Sequence, residues 1–73
     1  MSRLRPLPAR KVQIVLKKLG WLQVRQSGSH IIYQHTDYNF VIVLPNHDPI
    51  KKGTLKSIID DLGLTIEEFF DLL

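Results

Sequence analysis

The chain has 73 residues, no cysteine and three histidines, with 44% hydrophobic and 23% charged residues. That length holds one small domain with a thin stability margin, and the composition is that of a folded globule, not a disordered segment. Without cysteine there is no disulfide framework and no Cys-based zinc site, so packing alone must hold the fold, as suits the cytoplasm.

The formal net charge of +3 conceals an uneven distribution. All ten Lys and Arg lie at or before Lys56, where the only acids are Asp37 and Asp48: ten less two, or +8. From Ser57 onward there are five acids and no Lys or Arg, or −5. A cationic body with an acidic tail fits a polyanionic partner, nucleic acid first, although dipole-matched and solvated helix charges are the plainer alternative. No apolar segment of signal-peptide length follows Arg3, Arg5, Arg10 and Lys11, and the longest apolar run, Phe40 to Leu44, is far short of a bilayer span. A soluble cytoplasmic protein without a membrane partner is expected.

Residues 1 to 7 read as an untethered, flexible basic leader to a single domain spanning 1 to 73. Pro8 suits the first turn of a helix, and Val12, Val15, Leu16 and Leu19 follow the helical apolar spacing, with Ile14 off the stripe. Lys17 and Lys18 favour the helix C-terminus and Gly20 suits the position after it. Lys11 and Lys18, seven residues apart, share a face that either meets phosphates or is simply solvated. Trp21 should pack back on the helix end. Leu22 to Arg25 alternates as a half-buried strand, Gln26 to Ser29 supplies a turn with Gly28 at positive φ, and a second strand runs from about His30 to His35.

Thr36 to Asn39 makes another turn before a third strand, Phe40 to Leu44, ended by Pro45. That strand is apolar at successive positions, so it is either covered on both sides or presents its outer face to a partner. Short turns make the three strands an antiparallel meander. After the polar loop Asn46 to Pro49, Leu55, Ile58, Ile59 and Leu62 mark a second helix capped by Gly63. Thr65 opens a short third helix, with Thr65 and Glu68 at capping-box spacing and Leu64 and Phe69 at staple spacing. Phe69, Leu72 and Leu73 are its expected core residues. The fold class is α+β, in the order α-β-β-β-α plus a short C-terminal helix, with the helices on one sheet face.

No metal site is expected. His30 and His35 point to opposite sides of a strand, His47 has only Asp48 beside it, and no metal-ligand motif occurs. Ser29 and His30, as strand neighbours, do not form a nucleophile–base pair, and no phosphate-loop or dinucleotide fingerprint is present. His30 stands out as a lone general acid or base matched to neutral pH, beside a glycine that admits close backbone approach. Cleavage of RNA asks for little more, because the substrate's 2′-hydroxyl is the nucleophile. A strand histidine is also commonly structural, and the residues alone leave both readings open. Lys51 and Lys52 precede the second helix, where free N–H groups and cations bind phosphate; their charge opposes the helix dipole, which points to another use.

Leu19-Gly20-Trp21, Gly28-Ser29-His30 with Tyr33, Pro45 with His47, Lys52-Gly53-Thr54-Leu55 and Leu62-Gly63-Leu64 with Glu67-Glu68-Phe69 occur in the order and spacing of one family. From about residue 8 to the C-terminus the chain resembles the HicA toxin mRNA interferases. The resemblance implies a fold like a double-stranded RNA-binding domain, a toxin–antitoxin system with an mRNA substrate, and His30 as the residue needed for cleavage. It also implies a HicB-like antitoxin partner that hides that histidine, and no cofactor. The candidate RNA contacts are Arg25, Ser27, Gly28, Ser29, Lys51, Lys52, Lys11 and Lys18. A non-catalytic module binding double-stranded RNA through Lys51, Lys52 and Lys56 is the main alternative. A third is a protein-binding domain that adds a strand beside Phe40–Leu44.

Overall fold

Val12, Val15 and Leu16 recur at helical spacing, and in the computed structural model, which describes residues 3–73, they are fully buried on one side of helix α1 (Ala9–Lys18). No side chain caps this helix at Pro8; the Ala9 N–H instead donates to the His47 carbonyl at 3.1 Å. At its other end Gly20 takes φ +88°, the Trp21 N–H donates to the Leu16 carbonyl and the Gly20 N–H to the Lys17 carbonyl. These two bonds are the Schellman pair that satisfies the last carbonyls of a helix, and they fold Trp21 back into the core as its position predicts.

Three antiparallel strands follow, β1 (Leu22–Ser27), β2 (His30–Gln34) and β3 (Ile42–Pro45), in that spatial order. The first hairpin is tighter than the expected Gln26–Ser29 turn. Its loop is Gly28–Ser29 alone, with Gly28 at φ +59° and Ser29 at negative φ, the pattern of a II′ turn whose twist matches the strands. Ile31, Tyr33, Ile42 and Leu44 are buried on one sheet face, with Leu55, Ile58 and Ile59 of α2 (Lys52–Asp61) and Phe69 and Phe70 of α3 (Ile66–Asp71) in the same core. The opposite face carries His30, Ile32, Gln34 and Val43, of which only Ile32 is partly buried, so no helix among the described residues covers it. The architecture is the predicted α+β order with helices on one sheet face.

Four local expectations need correction. Strand β1 is exposed along its whole length, with Leu22 at 64% and Val24 at 48%, where alternation predicted half-burial. It is an edge strand, and the bulge between Gln23 and Arg25 breaks the alternation at Val24. The third strand begins at Ile42, not Phe40, because Phe40 turns toward Trp21 and Tyr38, at ring-centroid distances of 5.7 and 5.4 Å. Pro45 lies inside that strand opposite His30, which an edge position tolerates. In α3 the buried residues are Phe69 and Phe70, while Leu73 is exposed; the Thr65–Glu68 capping box is present.

The leader is the fourth correction. Leu7 is buried, its carbonyl accepts the Ile50 N–H at 2.7 Å, and the two residues form an isolated antiparallel bridge. Arg3 reaches Asp71 at 2.7 Å and Glu67 at 3.3 Å, and Arg5 lies 4.7 Å from the Phe70 ring centre. The hydrogen bond to Asp71, followed by that to Glu67, holds the Arg3 guanidinium above its ordinary range. Residues 3–7 are thus strapped across α3 and the segment before α2, because the acidic tail supplies partners for cations that the sequence alone left free. The part of the leader at residues 1 and 2 lies outside the described residues.

Candidate functional site

His30 opens β2, where its Cα partners are Ser27 on β1 and Pro45 on β3. Directly paired residues share a sheet face, so His30, Ser27 and Pro45 stand together on the uncovered side, with the Arg25–Ile32 pair next along. His30 is exposed and rims a cleft of about 260 Å³ formed with Pro45, His47, Pro49, Lys51 and Thr54. Its walls therefore come from three places: the start of β2, the β3–α2 loop, and the first turn of α2.

The loop wall is held by its main chain. The Asn46 N–H donates to the Ser29 carbonyl at 2.6 Å, the His47 carbonyl accepts from Ala9, and the Ile50 N–H donates to Leu7. These bonds fix the backbone on both sides of His47 while its imidazole stays exposed. Neither the His30 nor the His47 ring has a hydrogen-bond or ion-pair partner among the described residues.

The α2 wall is shaped for an anion. Lys51 occupies the N-cap, with no side-chain cap, and the first helical bond runs from the Leu55 N–H to the Lys51 carbonyl. The N–H groups of Lys52, Gly53 and Thr54 have no acceptor among the described residues, and Gly53 has open space where a side chain would stand. Free N–H groups, the positive end of the helix dipole and a lysine converge at this edge of the cleft.

The candidate RNA contacts divide into two sets. Arg25, Ser27 and the Gly28–Ser29 loop lie beside His30, and Lys51 lines the cleft; Lys52 is exposed in the same helical turn. Lys11 and Lys18 are exposed on α1 and are not among the residues that line the His30 cleft. Lys18 donates to the Leu72 carbonyl at 2.7 Å. Other cations are also engaged: Lys56 with Asp60 at 2.6 Å, Arg10 with Asp48 at 3.7 Å, and Arg3 with the α3 acids. Arg25, Lys51 and Lys52 have no such partner among the described residues.

The third histidine belongs elsewhere. The His35 Nδ1 accepts the Asp37 N–H at 3.0 Å, so Nε2 carries the proton and donates to the Leu19 carbonyl at 3.1 Å. With Nδ1 so occupied, the 3.9 Å approach of Asp37 Oδ2 to it is proximity and not an ion pair. The ring packs against Trp21 and Tyr38, and Trp21 stacks on Tyr38 at 5.4 Å. No cluster of three or more His, Cys, Asp or Glu able to hold a metal occurs among the described residues. Sequence reasoning did not place Thr54 in the site, and it left open whether His30 works alone, with His47, with Tyr33 or with a substrate group; Tyr33 is buried in the core, whereas His47 lines the cleft with His30. The readable signal was the hairpin register, since placing Pro45 opposite His30 puts His47 two residues away.

The family model described as "HicA toxin of bacterial toxin-antitoxin" matches residues 9–64, from the start of α1 past the end of α2. That span holds His30, His47, Lys51 and Thr54 and leaves out the leader strap and α3. Comparison with individually curated proteins finds no significant match. The span exceeds half of the chain, and the protein belongs to the HicA toxin family of bacterial toxin–antitoxin systems.

Proposed function

We propose that this toxin is a metal-independent endoribonuclease that cleaves mRNA in the cytoplasm, halting translation and growth until a HicB-like antitoxin covers its cleft. The observation that carries the reading is an exposed, unpartnered His30 at the rim of a cleft whose opposite wall is a lysine-bearing helix N-terminus. The phosphodiester docks on Lys51 and the α2 N–H groups, with Arg25 taking a neighbouring phosphate. His30 moves a proton as the RNA 2′-hydroxyl attacks the adjacent phosphorus. The substrate brings its own nucleophile, so the reaction requires neither a protein nucleophile nor a metal.

The test is incubation of purified protein with mRNA in EDTA. Cutting is expected, and His30→Ala should abolish it while leaving the circular dichroism spectrum and Tm unchanged. Recovery of bound RNA intact after long incubation with wild-type protein would instead establish a non-catalytic RNA-binding module. A mutant that cuts at the wild-type rate would remove His30 from the mechanism.

A further inference from the structure

The cleft contains two histidines, and a lone one is badly placed for the whole reaction. In a transesterification at phosphorus the entering O2′ and the departing O5′ lie on opposite sides of the phosphorus atom. One imidazole near the attacking hydroxyl is therefore not near the leaving oxygen. Two proton transfers on two sides call for two groups, or for water on one side at a lower rate.

We infer that His47 is the second proton-transfer residue, working with His30 across a phosphate held by Lys51 and the first turn of α2. The inference rests on the endoribonuclease reading and deepens it. His30 projects from the sheet and His47 from the loop, and both line the same cleft together with Lys51 and Thr54. Two residues span at most about 7 Å of chain, so His47 lies within side-chain reach of a group bound above the His30–Pro45 pair. Its carbonyl caps α1 and its neighbour Asn46 is bonded to Ser29, so the loop holds the ring over the cleft without using the ring itself. Such fixed placement is what proton transfer in a short-lived geometry needs.

The step balances. The neutral imidazole of one histidine takes the 2′-hydroxyl proton as O2′ bonds to phosphorus. The P–O5′ bond breaks, and the protonated imidazole of the other gives its proton to O5′. The products are a 2′,3′-cyclic phosphate and a free 5′-hydroxyl, and the two rings exchange protonation states. The charged groups around this pair are Lys51 from α2, and Asp48, which pairs with Arg10 of α1 beside His47.

The experiment uses the full chain and an mRNA transcript whose cut site has been mapped with wild-type protein, under single turnover in EDTA. His47→Gln should slow cutting by ~10²- to 10⁴-fold with unchanged Tm, and the pH–rate curve should lose one of its two limbs. The same RNA with sulfur in place of the bridging O5′ at the cut needs no proton on its leaving group. It should restore the rate of only one of His30→Gln and His47→Gln, and that variant lacks the acid. The rate ratio of the two RNAs within one variant is independent of the fraction folded. The inference is overturned if His47→Gln cuts at the wild-type rate, if its loss lies wholly in KM with both limbs kept, or if sulfur rescues both variants or neither. Normal cutting by His47→Gln would leave the endoribonuclease reading standing, whereas failure of wild-type protein to cut any RNA would remove both.

Discussion

His30 opens β2 and His35 follows its last residue, and their surroundings differ in kind. Both nitrogens of His35 are bonded to main chain, and its ring packs against both rings of the Trp21–Tyr38 stack. The His30 ring is exposed with no hydrogen-bond or ion-pair partner among the described residues, and it shares a cleft with the similarly unpartnered His47 ring and a helix N-terminus. The residue type is identical; the difference lies in what already occupies its lone pair and its N–H. A histidine whose hydrogen-bonding capacity is consumed by the fold holds the fold, and one whose capacity is unspent can serve a substrate.

Exchanging the mutation between the two ends is the sharpest way to break that contrast. His30→Ala should cost ~10²- to 10⁴-fold in cleavage rate, equal to about 3–5 kcal/mol of barrier, with no measurable loss of stability. His35→Ala should do the reverse. It removes two hydrogen bonds, each worth about 1 kcal/mol, and the aromatic contacts of the Trp21 corner, for a total near 2–3 kcal/mol. In a domain of this size that lowers Tm by roughly 10 °C or more, while the variant still folded at low temperature keeps its cutting rate. Paired thermal melts and single-turnover rates on the two variants decide the matter. Loss of cutting in a folded His35→Ala would end the division of labour.

The glycines near the two histidines extend the comparison at lower energy. Gly20 sits at φ +88°, and a side-chain carbon built on it would come within 3.0 Å of His35 Nε2. Gly28 sits at φ +59° with open space around it. Gly20→Ala therefore meets both an unfavourable backbone and the ring that anchors the corner, and should destabilise by about 2 kcal/mol. Gly28→Ala meets the backbone term alone, about 1 kcal/mol. Denaturant melts should separate the two; equal losses would show that the His35 corner yields to the added carbon.

The helical stripe, the Gly20, Gly28 and Gly63 positions, the Thr65 capping box and the strand order were all legible, because each rests on local chemistry. His30 was legible for the same reason, as a histidine next to a turn glycine. What escaped was tertiary. Arg3 and Arg5 looked like free charge until α3 placed Asp71, Glu67 and Phe70 against them. Phe40 looked like a strand residue until Trp21 and Tyr38 drew it out of the sheet. The alternation in Leu22–Arg25 was real, but nothing in the residues said that the helical layer stops short of β1. Lys11 and Lys18 lie outside the cleft lining, and Lys18 is bonded to the Leu72 carbonyl, a tertiary contact that helical spacing does not display. In the site, His47 and Thr54 entered through strand register and helix placement, neither of which a motif displays.

The smallest expected effect comes from Lys51, where stability and function pull apart. Its backbone, at φ −67° and ψ 153°, has the extended conformation of an N-cap, yet its side chain caps nothing and its charge opposes the dipole of α2. Aspartate there would accept from the first-turn N–H groups and match the dipole, so Lys51→Asp should stabilise the protein by about 1 kcal/mol, raising Tm by roughly 5 °C. The same change fills the cleft wall with negative charge. RNA affinity should fall, and the dependence of log Kd on log salt should lose about one phosphate contact. Melts and salt titrations on this one variant therefore read both sides of the contrast at once. A variant that is more stable and binds RNA more weakly shows that the lysine is retained against the interest of the helix. One that is no more stable, with an unchanged salt slope, shows that this helix end is an ordinary solvated terminus, and phosphate docking would have to be sought at Arg25 instead.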